Sequence, residues 1–158
     1  MTEIETWVNK QHVLTILFDL KTLTLTGDEL FDGALKTLKM FRKTGIIMGL
    51  VTSADTGWAN RTYGHLNLRG QFDHFQTVAS YGHIGLQDWK NVFDELGFWP
   101  QNGVVVGHGP QGDIHEIGLK YCVGVLRNGE MYRVRNRYEE TRYIKSIAHV
   151  ARALLAAV

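Results

Sequence analysis

Four places along this 158-residue sequence carry side chains able to do chemistry, and three of them close an apolar run. "HVLTILFDL" (12–20) delivers Asp19, with Lys21 just beyond it. "IIMGLVTS" (46–53) ends in Thr52 and Ser53, and "LQDWKNVFDELG" (86–97) carries Lys90. "GVVVGHGPQGDI" (103–114) delivers His108 and Asp113. A carboxylate such as Asp19 can act as a nucleophile, and hydroxyls and ammonium groups can hold the oxygens of a phosphate. A second carboxylate can hold a metal or orient the lysine. The fourth place also contains Gly107-x-Gly109-x-x-Gly112, the spacing of a dinucleotide-binding turn. That pattern accounts for residues 103–112 only, and a nucleotide-binding domain built on it stands as the alternative.

The elements that must position these residues follow from hydrophobic patterning. Apolar, β-branched runs at 12–20, 46–53, 75–80, 103–106 and 121–126 predict strands buried on both faces. Between them, 28–45 carries Leu30, Leu35, Leu38 and Phe41 near helical spacing, and 56–68 reads as a second helix. The segment 86–97 presents Leu86, Trp89, Val92, Phe93 and Leu96 on one face, and a short helix is expected near 113–120. Strands alternating with helices predict a three-layer α/β domain, a parallel Rossmann-like sheet with helices on both faces. Ligands in such sheets bind outside the carboxyl ends of the strands, where strand order reverses. Function is therefore expected just after Leu17, Val51, Ala79 and Val106. The strands ending at Asp19 and Val106 should be adjacent, with Asp19 and Asp113 facing one cleft.

The chain reads as a single domain over 1–158, with 1–11 as an N-terminal extension. Asn128-Gly129 between extended runs predicts a hairpin at 127–138. Arg133, Arg135 and Arg137 give it a basic stripe, as on an edge strand kept soluble by charge. Residues 139–158 are expected to form a closing helix with Ile144, Ile147, Ala151, Leu154, Leu155 and Val158 inward.

Taken together, the four places resemble the haloacid dehalogenase superfamily, mostly phosphohydrolases that work through an aspartyl-phosphate. The likeness spans about residues 12–126. "LFDLKTLT" resembles the first motif, "GLVTSAD" the second, and "VVVGHGPQGDI" the fourth in its longer-spaced form. "FDHFQTVASYGHIGLQDWKNVFDELGFWP" is similar to the segment that carries the third-motif lysine. The resemblance implies Asp19 as nucleophile, Thr52 and Ser53 as phosphate ligands, Lys90 as the charge-neutralising lysine, and Mg²⁺ on Asp19 and Asp113. A short connection after Asp19 and no long insert after the third strand imply a capless member.

The departures are as informative. Lys21 and Leu23 stand where the superfamily has its second first-motif acid and its hydroxyl. His108 stands at the first fourth-motif acid, and the third-motif position falls near Gln87, one helical turn before Lys90. Mg²⁺ wants hard oxygen ligands, and neither an ammonium nor an imidazole supplies them. The expected Mg²⁺ site is therefore weak or absent. Lys21 can stand in for the metal's charge, and His108 can assist water. A degenerate site of this kind also fits a weakly active or inactive module that binds a phosphorylated ligand or protein.

Composition narrows the classes further. A net charge of +1 provides no field for nucleic acid or an acidic membrane, and no apolar run approaches the roughly 20 residues of a membrane span. The single cysteine, Cys122, excludes an internal disulfide framework and fits a reducing cytoplasm. "MTEIETWVNK" is polar and acidic, unlike a secretory signal. The expected partner is a phosphorylated small molecule or macromolecule, with no organic cofactor.

Overall fold

The computed structural model describes residues 2–24, 29–53, 56–66, 68–78, 83–109, 111, 114–126 and 141–156. Six strands run parallel in the order β3-β2-β1-β4-β5-β6: β1 Thr15–Asp19, β2 Ile47–Thr52, β3 His74–Thr77, β4 Gly103–His108, β5 Tyr121–Val125 and β6 Thr141–Ile144. The helices are α1 Glu3–Gln11, α2 Ala34–Arg42, α3 Thr56–His65, α4 Leu86–Leu96 and α5 Val150–Ala156. The order steps outward from β1 to β2 and β3, then returns to place β4 on the other side of β1. The switch point therefore lies between β1 and β4, which pair directly with Phe18 opposite Val106.

All five residues of β1 are buried, because each side of the central strand is covered. Ile16 and Phe18 point with Leu50, Val104 and Val123 into the larger core beneath α1, α2 and α5. Leu17 joins Val51, Val105, Trp89 and Phe93 beneath α4. Alternation thus divides each strand between two cores, as a doubly covered parallel sheet requires. No described helix is long and apolar enough to cross a membrane.

Three segments differ from the sequence reading. The first is the N-terminal stretch, which is a helix of the core: Thr2 caps α1 through Glu5 N–H at 3.2 Å, and Ile4, Trp7 and Val8 are buried. The second is α2, which starts at Ala34 rather than near residue 28. Leu30 instead bridges Thr24 in antiparallel fashion, Gly33 takes a left-handed φ of +80°, and Leu35 is exposed. The third is 139–158, which is not one helix. Residues 141–144 form β6 along the open edge of β5, with Val125 opposite Ile144. Ser146 then accepts Ala148 N–H at 3.2 Å, and a 3₁₀ turn leads into α5, which buries Ile147, Val150 and Leu154. Tyr and β-branched residues suit an edge strand, and helical spacing starts only after the Ser146 cap. The predicted hairpin at 127–138 and its arginine stripe lie outside the described residues.

Candidate active site

Asp19 is the last residue of β1 and only 3% exposed. Its Oδ1 accepts the Lys21 backbone N–H at 2.9 Å, so the carboxylate caps the 3₁₀ turn Leu20–Thr22. The Thr22 hydroxyl, itself buried, donates to the Asp19 carbonyl at 2.7 Å. Two local bonds thus hold the acid at the carboxyl edge of the central strand. Lys21 rides on that turn and is half-buried.

On the neighbouring strand Asp19 stands opposite Val51, so Thr52 and Ser53 extend one and two residues past it. Thr52 is fully buried. The Ser53 hydroxyl oxygen is buried as well, and among the described residues it meets no hydrogen-bond partner. A buried hydroxyl in that state costs free energy unless something supplies the bond, so it marks a place for a polar ligand.

β4 reaches the same edge from the other side of β1. Continuing the β1–β4 register by one residue sets Gly107 opposite Asp19, with His108 just beyond. The following loop is tightly tied. Gly109 takes a left-handed φ of +78° and donates its N–H to Val125 O at 2.9 Å. Gln111 donates its side-chain amide to His108 O at 3.2 Å and Gly109 O at 3.4 Å, and its backbone N–H to the Tyr143 hydroxyl at 3.4 Å. A Cβ on Gly107 would collide with the Gln111 carboxamide. One on Gly124 would sit 2.6 Å from the Tyr143 ring. Burial pushes the Tyr143 phenol above its ordinary pKa, which keeps the hydroxyl protonated where it receives the Gln111 N–H.

That packing weighs against the nucleotide-turn alternative, whose third glycine, Gly112, lies outside the described residues. Gly107 is a strand residue paired with Gly124, and the bare face that a pyrophosphate would approach is filled by Gln111. Gln111 itself was not a sequence candidate. Its only signal was the glycine four residues earlier, which reads equally well as a turn.

The remaining candidates fall differently. Lys90 is exposed on α4, next to the buried Trp89, and the helix turns Trp89, Val92 and Phe93 inward. Gly112 and Asp113 lie outside the described residues. Of the two carboxylates on which the resemblance places Mg²⁺, Asp19 is described and Asp113 is not, and the described donors by themselves supply too few hard oxygens for it. No group of three or more His, Cys, Asp or Glu side chains is placed among the described residues to hold an ion. One buried carboxylate, a lysine two residues on and an imidazole offer too little negative oxygen for a hard cation.

No family model matches the sequence, and no curated protein matches it. Solved structures do match. A haloacid dehalogenase-like family hydrolase from Xanthomonas campestris superposes with a TM-score of 0.68 at 14% identity, over 82% of this chain. The chain has a haloacid dehalogenase-like fold. It spans 55% of the Xanthomonas protein, but an uncharacterized protein from Listeria monocytogenes matches end to end, over 92% of this chain and 98% of its own at 15% identity and TM-score 0.68. CbbY from Rhodobacter sphaeroides, solved in complex with phosphate, matches 77% of this chain and 56% of its own at 16% identity and TM-score 0.56. On this haloacid dehalogenase-like fold, Asp19, Ser53 and His108 occupy the ends of three neighbouring strands around the switch point.

Proposed function

We propose that this chain is a phosphohydrolase acting on a phosphate monoester through an aspartyl-phosphate on Asp19. The observation that carries the reading is a buried carboxylate at the end of β1, beside the switch point, next to a buried hydroxyl at the end of β2 that meets no partner among the described residues. The Asp19 carboxylate attacks phosphorus in line; an O–P bond forms as the ester P–O bond breaks and the alcohol leaves. Thr52 and Ser53 hold the phosphoryl oxygens, and Lys21 adds positive charge. Water then attacks the acyl phosphate with His108 as base, which releases inorganic phosphate and restores Asp19. Lys90, exposed on α4, is the charge-neutralising lysine that the resemblance implies. We read the domain as capless, since residues 20–33 are too few to form a further domain between β1 and α2.

A second reading, a module that binds a phosphorylated ligand without turning it over, is favoured by Lys21 and His108 standing where the resembled family has acids. One experiment separates the two. Wild type and Asp19→Asn are incubated with acetyl phosphate and weighed by mass spectrometry, and p-nitrophenyl phosphate turnover is followed alongside. The asparagine keeps an Oδ1 acceptor for the Lys21 N–H, so the turn should survive. A phosphoryl adduct and turnover in wild type alone support the enzyme. Phosphate binding with no adduct supports the module.

A further inference from the structure

We propose that this site binds phosphate without a divalent cation, Lys21 supplying the positive charge that a metal would otherwise bring. The inference rests on the phosphate-site reading above and takes it further, to the charge that holds the anion.

The chemistry of the described donors carries the argument. A hard divalent cation is held by several carboxylate and carbonyl oxygens converging on one point. Here the turn after β1 offers one carboxylate, and its Oδ1 already accepts a backbone N–H. The Asp19 carbonyl is engaged by the Thr22 hydroxyl at 2.7 Å. The residue two positions after Asp19 is a lysine, held half-buried on a turn rather than trailing in solvent. An ammonium on this turn would repel a divalent cation from the Asp19 carboxylate, because like charges in a partly desolvated pocket interact more strongly than in water. The same ammonium attracts a tetrahedral oxyanion, and the Ser53 hydroxyl just past β2, which meets no partner among the described residues, offers a hydrogen bond to it. The described donors at these strand ends, one carboxylate, one ammonium, two hydroxyls and an imidazole, are complementary to an anion rather than a cation.

The test is a calorimetric titration of inorganic phosphate into wild type, Lys21→Ala, Lys21→Arg and Lys21→Asp, each in excess EDTA and again in excess MgCl₂. The turn bond uses the backbone N–H of residue 21, so none of these changes removes it, and thermal melts check that each variant folds. Wild type should bind equally in both buffers. Lys21→Ala should lose about tenfold or more in EDTA, the scale of one charge-assisted hydrogen bond, while Lys21→Arg retains binding. Lys21→Asp should bind phosphate only with Mg²⁺. Binding by wild type that requires Mg²⁺, or equal affinity in wild type and Lys21→Ala, overturns the proposal. Phosphate binding in neither buffer overturns it together with the function reading. Mg²⁺-dependent binding accompanied by an Asp19 adduct overturns this inference alone, and Lys21-dependent binding in EDTA with no adduct overturns the enzyme reading alone.

Discussion

Gln111 occupies the space that a side chain on Gly107 would need. The carboxamide lies over a strand residue set beside Asp19 and ties down the loop through His108 O and Gly109 O. Gly107→Ala must therefore displace the Gln111 carboxamide, the far end of a flexible side chain, at a cost of about 0.5–1.5 kcal/mol for the hydrogen bonds that move with it. The double variant Gly107→Ala with Gln111→Ala should recover part of that loss, since the collision is gone. Urea denaturation of the four proteins in a double-mutant cycle checks it, and purely additive losses would show that the two residues do not compete for the space.

The Thr22 hydroxyl holds the backbone of Asp19. Thr22 is fully buried and donates to Asp19 O at 2.7 Å. Thr22→Val keeps the shape and removes that bond, at a cost of about 0.5–1.5 kcal/mol. Thr22→Ser keeps the hydroxyl and should lose clearly less. Equal midpoints for the valine variant and wild type in urea would mean the bond contributes nothing.

The parallel sheet and the adjacency of β1 and β4 were legible in the sequence, because buried parallel strands are continuous apolar runs and Asp19 and His108 terminate two of them. Helix α4 was legible to within a residue, since its apolar face repeats at helical spacing and Gly97 closes it with a φ of +73°. Helix α1 was missed because Ile4, Trp7 and Val8 are spread among charged residues, and only their spacing betrays a buried face. β6 was missed for the opposite reason: residues 139–158 carry helical spacing that continues into α5, while the need to cover the edge of β5 is a tertiary fact. The strand-end positions of Asp19, Thr52 and Ser53 were readable. Gln111 was not, because its role comes from lying over a glycine.

Tyr143 gives the fold an alkaline limit. Burial chiefly, and the Cys122 thiol to a lesser degree, raise its pKa above the ordinary 10.0, opposed by the Gln111 N–H. Below pH 10 the phenol is neutral in both states and its contribution is fully present. As pH rises past 10 the unfolded tyrosine ionises first, so stability falls until the folded pKa is passed. Tyr63 is raised by burial in the same direction. Thermal melts between pH 8 and pH 11 (values on the order of the tyrosine range) should drop at the alkaline end. The drop should be shallower in Tyr143→Phe, and an identical slope in both proteins would refute the assignment.

Helix α1 belongs to the folding unit. Trp7 is 6% exposed in the larger core, with its ring 5.3 Å from that of Tyr121 in β5. Trp7→Ala should destabilise by about 3–5 kcal/mol, the usual loss for a large buried aromatic. A change below about 1 kcal/mol in urea, within the range of ordinary surface substitutions, would return residues 1–11 to the status of an appendage.

Ser53 should reveal its role through effects of opposite sign. Its hydroxyl oxygen is buried without a partner among the described residues, so in the ligand-free protein it is a cost rather than a support. Ser53→Ala removes that cost and adds no bulk, and the ligand-free variant should be as stable as wild type or more so, by up to about 1 kcal/mol. Where the hydroxyl serves a phosphoryl oxygen, the same change should weaken phosphate binding by about tenfold. A purely structural serine would lose stability and leave anion affinity alone, and a solvated one would change neither. Thermal melts of both proteins with and without inorganic phosphate measure the two effects together, because a bound ligand raises the midpoint in proportion to its affinity. Wild type should start level with or below Ser53→Ala and overtake it as phosphate is added, and curves that never converge would remove Ser53 from the site.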